Sequence, residues 1–292
     1  MEQSSKCNLC PRKCNVDRSK AIGFCQANDK IYVARAALHY WEEPCISGSE
    51  GSGAIFFSGC NLRCVYCQNH FISRKMHGSE VSVSQLVDLF FDLKQQGANN
   101  INLVTPTHYI PQIVLAIIEA KRNGLSLPIV YNTSSYENVE SLKMLEGLVD
   151  VYLPDLKYVS SDLASKYSGA PDYPLTAKAA IEEMFRQVGK PVFYENKIKS
   201  GVIVRHLCLP GHTKESKAVI KYLYETYGNN IYISIMNQYT PISEILENYP
   251  EINRKMTHKE YEKVLNYALD LGIENAYIQE GDVASESFIP EF

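Results

Sequence analysis

No hydrophobic stretch in this 292-residue sequence reaches the roughly 18–20 residues that a bilayer-spanning helix needs, so no transmembrane segment is expected. The first residues, Met1 to Lys6, lack the apolar core of a secretory signal, and a cytoplasmic protein is expected. Charge of one sign is not in excess: 29 Lys and Arg stand against 33 Asp and Glu, which leaves no broad basic surface for nucleic acid. A Gly-x-Gly-x-x-Gly after a first strand is absent, which speaks against a dinucleotide-binding sheet. There is no repeat at solenoid period and no low-complexity tail. Cysteine, by contrast, is plentiful, with nine residues, most of them clustered. In a cytosolic chain such clusters read as metal or redox ligands before they read as disulfides.

The most pointed cluster is Cys60-Asn-Leu-Arg-Cys64-Val-Tyr-Cys67, directly after the apolar run Ala54-Ile55-Phe56-Phe57. Thiolates are the usual ligands of iron–sulfur clusters. Three of them on a four-iron cluster leave one iron without a protein ligand, and an open position is where a substrate or cofactor binds. The competing readings are three zinc ligands awaiting a fourth, or coincidence; zinc sites more often present paired C-x2-C units. The spacing C-x3-C-x2-C, with an aromatic before the last cysteine, resembles the signature of the radical S-adenosylmethionine (SAM) superfamily. That resemblance implies a [4Fe–4S] cluster on Cys60, Cys64 and Cys67 whose fourth iron chelates the methionine end of SAM. Reduction of the sulfonium then releases a 5′-deoxyadenosyl radical.

Short apolar runs alternate with helical patterns along the rest of the chain. The runs lie at 54–57, 101–104, 128–131, 150–153, 202–209, 231–236 and 276–278; helical periodicity fits 84–93, 110–122, 138–147, 175–188, 213–227 and 257–271. Strand and helix in alternation indicate βαβ units and a parallel sheet. The expected fold is α/β: a complete or partial (β/α) barrel of about six parallel strands at 51–292, preceded by a cysteine-rich extension at 1–50. Barrel enzymes place their sites on loops after the C-terminal ends of strands. The cysteine loop follows the first run of the barrel segment, so the other strand ends are the places to look for its partners.

After the second run stand Thr105, Thr107 and His108, able to bind amino and carboxylate groups, with Thr107 equally suited to cap a helix beginning near Pro111. After the third, Asn132 and Thr133 suit a ribose or carboxylate, or a turn. After the fourth, alternation puts Asp155 and Lys157 on one face, where they must pair with each other or with a ligand. In the fifth, Arg205 faces the interior and suits a carboxylate or ribose. The sixth ends near Tyr239. Cys208 reads as a packed thiol and Cys45 as structural. In the leader, Cys7, Cys10, Cys14 and Cys25 make a four-thiol set that fits zinc or a second iron–sulfur cluster, and spacing does not choose between them.

Taken together, the leader Cys-x2-Cys-Pro-Arg-Lys-Cys, Gly-Cys-Asn-Leu-Arg-Cys-Val-Tyr-Cys-Gln-Asn, Val-Thr-Pro-Thr-His-Tyr, Tyr-Asn-Thr-Ser, Leu-Pro-Asp-Leu-Lys-Tyr and Val-Arg-His-Leu resemble the homologues of pyruvate formate-lyase activating enzyme. The resemblance implies that Tyr66 contacts the adenine, that Asp155, Lys157 and Arg205 contact SAM, and that Asn132 and Thr133 lie near it. It also implies a low-potential electron donor such as flavodoxin or ferredoxin, and a glycyl radical enzyme as partner. Two departures bear on the substrate. Thr105-Pro106-Thr107 stands where activating enzymes carry Gly-Gly-Glu, and Tyr239 stands at the position of a cofactor-contacting histidine. The same radical chemistry on a small metabolite or another macromolecule is the alternative, and a metal-binding interaction module is the alternative from another class.

Overall fold

The computed structural model describes residues 6–242 and 244–279. Its strands are β1 (Ile31–His39), β2 (Ser52–Phe57), β3 (Ser79–Val81), β4 (Ile101–Val104), β5 (Ile129–Thr133), β6 (Val151–Pro154), β7 (Val192–Tyr194), β8 (Lys197–Leu207), β9 (Tyr232–Met236) and β10 (Ala276–Ile278). Seven of them, β2, β4, β5, β6, β8, β9 and β10, lie side by side in that order, and every neighbouring pair is parallel. That is one more parallel strand than the six or so expected. β1 and β3 extend one edge in antiparallel fashion, and β7 forms a hairpin with β8. Among the described residues the sheet does not close on itself, so the fold is a partial (β/α) barrel.

The burial of the strands shows why this sequence makes a parallel sheet. β2, β4 and β6 are buried at every position, as strands covered on both faces must be. Ile55, Leu103, Tyr131 and Tyr152 pack in the main core with the helices. Their neighbours Ala54, Phe56 and Val104, and then Val130, Val151, Leu153 and Ile203, form separate apolar clusters. Period-two alternation splits each run between the two faces.

The crossover helices Val83–Gln95, Ile110–Arg122, Tyr173–Val188, Thr213–Tyr227 and His258–Asp270 follow the apolar periodicity closely. Ser82 with Gln85, and Thr257 with Glu260, form capping boxes that start two of them. The helix expected at 138–147 is reduced to Val139–Leu142 and a 3-10 turn, Lys143–Leu145. Helix Ser161–Ser168, short and mostly polar, was not expected; it is closed by Gly169 in the left-handed region.

The leader packs on the rim where the strands end. The Arg12 side chain donates to Asn61 O (2.8 Å) in the cysteine loop and to Gly169 O (2.7 Å). Its guanidinium stacks on Phe24, whose ring also receives Arg63. β1, inside the 1–50 segment, is an integral strand of the sheet. Cys45 and Cys208 are both buried thiols. No described helix is long and apolar enough to cross a membrane.

Candidate active site

The parallel register sets Phe56 beside Val104, Val104 beside Asn132, and Asn132 beside Leu153, so β2, β4, β5 and β6 finish level along one rim. A bridge between Asp155 and Arg205 continues the rim to β8. A cavity of about 340 Å³ opens there. Cys60, Cys64, Tyr66, Cys67, Thr105, Asn132, Thr133, Asp155, Lys157 and Arg205 all line it. Loops separated by up to 145 residues in sequence thus supply one set of walls.

The cysteine loop leaves β2 through Gly59, whose φ of 88° is in the left-handed region. A Cβ there would lie 2.5 Å from Cys25 O and 3.1 Å from His108 Nε2, so only glycine fits. Cys60 N–H donates to Cys25 O (3.3 Å), which ties the loop to the leader. Arg74 donates to Cys64 O at 3.0 Å. Loss of water pushes the Cys60 and Cys64 thiols above their ordinary range, and the Lys157 ammonium pulls both back down. Thiols kept protonated by burial would release their protons to solvent on binding a metal, whose positive charge favours the thiolate.

Lys157 Nζ donates to Asp155 Oδ2 at 2.5 Å, and both side chains are largely buried. Burial alone would discharge the lysine; the charge of the Asp155 carboxylate outweighs it and holds the group well above its usual value. Arg205 is engaged more heavily. Its Nε and Nη2 reach Glu43 at 2.9 and 2.6 Å, and Nη2 also reaches Glu42. Burial would raise the Glu43 carboxyl, but the Arg205 charge and hydrogen bonds outweigh it and hold the group below its usual range. Glu42 Oε1 accepts from Asn102 (2.8 Å) and Asn132 (3.4 Å).

Glu42 and Glu43 were not found by sequence reasoning, although both line the cavity. They follow β1, in the leader segment, 162 residues and more from Arg205. The signal available was indirect: an interior arginine needs an acidic partner, and an acidic pair precedes Pro44. Trp41, Ser234, Gln238 and Tyr277 also line the cavity without having been anticipated.

Two residues expected at the site, Thr107 and Tyr239, are not among the residues that line the cavity. Thr107 does not line the cavity and caps no helix: the helix begins at Ile110 with Tyr109 as its cap residue. Its hydroxyl donates instead to buried Glu137 Oε1 at 2.7 Å, one of three donors that satisfy that oxygen in the core. Thr133 (2.5 Å) and Tyr131 (3.2 Å) donate to the same oxygen. Burial raises Glu137 to about 7 against the pull of these three donors. Tyr239 is likewise turned away; its hydroxyl donates to Ile252 O (2.7 Å) while its ring edge packs on Tyr66. His108 is buried with Nε2 against Ser58 O (2.7 Å), and burial depresses it to about 4. Thr105 does line the cavity, with φ at 59°, a left-handed conformation that costs a β-branched residue on the order of 1–3 kcal/mol.

In the leader, a Cβ at Gly23 would meet Cys25 Sγ at 3.3 Å and Cys14 Sγ at 3.4 Å, so these two thiols crowd one bare glycine. Cys10 is buried and pushed up to about 12 by that burial; a backbone hydrogen bond from Arg12 lowers it, and nearby Cys25, Glu137 and Cys7 raise it further. Among the described residues no three histidine, cysteine or acidic side chains stand close enough to hold a single metal ion.

Residues 54–223 match the model of the Radical SAM superfamily. The chain is 30% identical over 278 residues to an uncharacterized protein of Methanocaldococcus jannaschii, covering 91% of this chain and 76% of that one. It is 22% identical over 178 residues to the pyruvate formate-lyase-activating enzyme of Staphylococcus aureus, covering 57% of this chain and 65% of the enzyme. Among solved structures, Streptococcus suis SuiB bound to precursor peptide SuiA superposes with a TM-score of 0.51 at 13% identity, over 77% of this chain and 47% of SuiB. At that identity the likeness is one of fold.

Proposed function

This chain belongs to the radical SAM superfamily, and from that premise we propose that it cleaves SAM reductively at a cluster held by Cys60, Cys64 and Cys67 and abstracts hydrogen from a glycine in a glycyl radical enzyme. Membership implies a [4Fe–4S] cluster and SAM-dependent radical chemistry. The carrying observation is that three thiols from one loop share a cavity with the polar ends of β4, β5, β6 and β8. Cys60, Cys64 and Cys67 would hold a four-iron cluster by three of its irons, and the fourth would have no protein ligand. When bound, the cluster supplies the electron that cleaves SAM to a 5′-deoxyadenosyl radical.

The protein's own residues supply binding and polarity. Tyr66, inside the loop, presents its ring to the cavity as a stacking face for adenine. The Asp155–Lys157 pair offers an ammonium to a carboxylate and a carboxylate to an amine. Asn132 and Thr133 offer short hydrogen-bonding groups for a ribose. Arg205 positions Glu42 and Glu43 along one wall of the cavity. Similarity to the Staphylococcus aureus activating enzyme supports the glycyl radical substrate. The leader's Cys7, Cys10, Cys14 and Cys25 hold a second metal, zinc or iron–sulfur, and a low-potential donor such as flavodoxin or ferredoxin supplies the electron.

The test is anaerobic incubation with reductant and SAM. 5′-Deoxyadenosine is expected, and yields no higher than those of the Cys60, Cys64 and Cys67→Ala triple variant would refute the radical reading. Co-expression with a candidate glycyl radical enzyme should give its electron paramagnetic resonance doublet. Deoxyadenosine formation without that signal would move the substrate to a small metabolite.

A further inference from the structure

Behind the cysteine loop lies a line of buried hydroxyls that the proposed reaction does not use. Tyr66 Oη is 2.6 Å from Tyr158 Oη, Tyr158 Oη is 3.1 Å from Ser168 Oγ, and Ser168 Oγ is 3.0 Å from Cys64 Sγ. All four residues are buried. The line is held from both sides. Val65 N–H donates to Tyr167 O (2.8 Å), and Arg12 reaches the carbonyls of Ser168 and Gly169, so the end of helix Ser161–Ser168 is stitched to the cysteine loop.

Each hydroxyl has one proton to donate. A thiolate sulfur has none and can only accept. Once Cys64 is a ligand, its end of the line determines the direction of the whole. Ser168 must spend its proton on the sulfur, so it accepts from Tyr158, which in turn accepts from Tyr66. We propose that the chain Tyr66–Tyr158–Ser168 is a one-way hydrogen-bond relay that raises the reduction potential of the metal centre at Cys64. Reduction adds negative charge that spreads onto the sulfurs, and a donor aimed at a ligand sulfur stabilises that state more than the oxidised one. Successive hydroxyls polarise one another, so the donor at Cys64 is stronger than an isolated serine. Ser168 is a positioning and tuning residue, since it touches the ligand and no substrate. The inference rests on the cluster reading above.

The experiment is a potentiometric titration, monitored by electron paramagnetic resonance, of the reconstituted enzyme, Ser168→Ala and Tyr158→Phe. Expected is a shift of the midpoint to lower potential in Ser168→Ala, and a smaller shift in the same direction in Tyr158→Phe, which keeps the donor and loses its polarisation. A Ser168→Ala protein with the parent's iron content and the parent's midpoint overturns the relay. Should Ser168→Ala fail to take up iron, Tyr158→Phe decides alone: an unchanged midpoint there overturns it. A parent that binds no iron at its loop would sink the cluster reading and the relay with it, and iron analysis separates that failure from an unchanged midpoint.

Discussion

The two thiol sets of this molecule touch each other and are built on opposite plans. The loop set, Cys60, Cys64 and Cys67, hangs from the end of a fully buried strand and is fastened by long-range partners: Cys25 O, Tyr167 O, Arg74 and Ser168. The leader set has no strand or helix between residues 6 and 30. It is shaped by tight turns, Cys7 N–H to Val16 O, Lys13 N–H to Cys10 O and Gln26 N–H to Gly23 O, with Lys13, Asn15 and Gln26 all at positive φ. Three thiols facing a cavity have the donor set of an open site, whereas four thiols along one turn-rich strap have that of a closed one. The difference teaches where each gets its order. The loop is positioned by the sheet and its long-range hydrogen bonds, whereas the leader between residues 6 and 30 is ordered by its own turns and its packing on the rim.

The largest expected effect separates the sets. In the Cys60, Cys64 and Cys67→Ala variant, metal analysis should find the leader still loaded, with about four irons for a cluster or about one zinc for a structural site. Complete loss of metal would mean the two sets are one unit. Next comes Arg205→Ala, which removes the anchor between β8 and the leader's Glu42 and Glu43. Two buried carboxylates would lose their partner, at a cost of about 3–5 kcal/mol in chemical denaturation. A loss well under 1 kcal/mol would show that the anchor does not hold the leader end in place. The smallest effect concerns Glu137, which lies between the sets, bonded to the cavity residue Thr133 and raising Cys10. Burial lifts it from 4.5 to about 7, so the fold favours its neutral form. Its contribution to stability is complete below about pH 4.5 and is lost as pH rises through about 7. Glu137→Gln should flatten stability over that window; an unchanged slope would contradict the neutral form.

Much of this was readable in the chain. The seven parallel strands follow apolar runs, and helices such as Ile110–Arg122 and Thr213–Tyr227 coincide with their periodic patterns. Burial imposes a period that shows in composition. The helix Ser161–Ser168 was missed because it is only eight residues long and mostly polar, too short for its pattern to stand out from a loop. Thr107 misled for a related reason. A threonine before a helix is a good cap by local rules, but a buried glutamate 30 residues on competes for the same hydroxyl and wins.

The sequence by itself determined the ligand chemistry and the framework, because thiol spacing is local and hydrophobic period is dictated by the geometry of strand and helix. Which residues share the cavity was decided only by the tertiary structure. Arg205 meets Glu42 and Glu43 across some 162 residues, and Ser168 meets Cys64 across 104. Such contacts have no sequence period, since they exist only where the sheet brings separate strand ends to one rim and withdraws them from water.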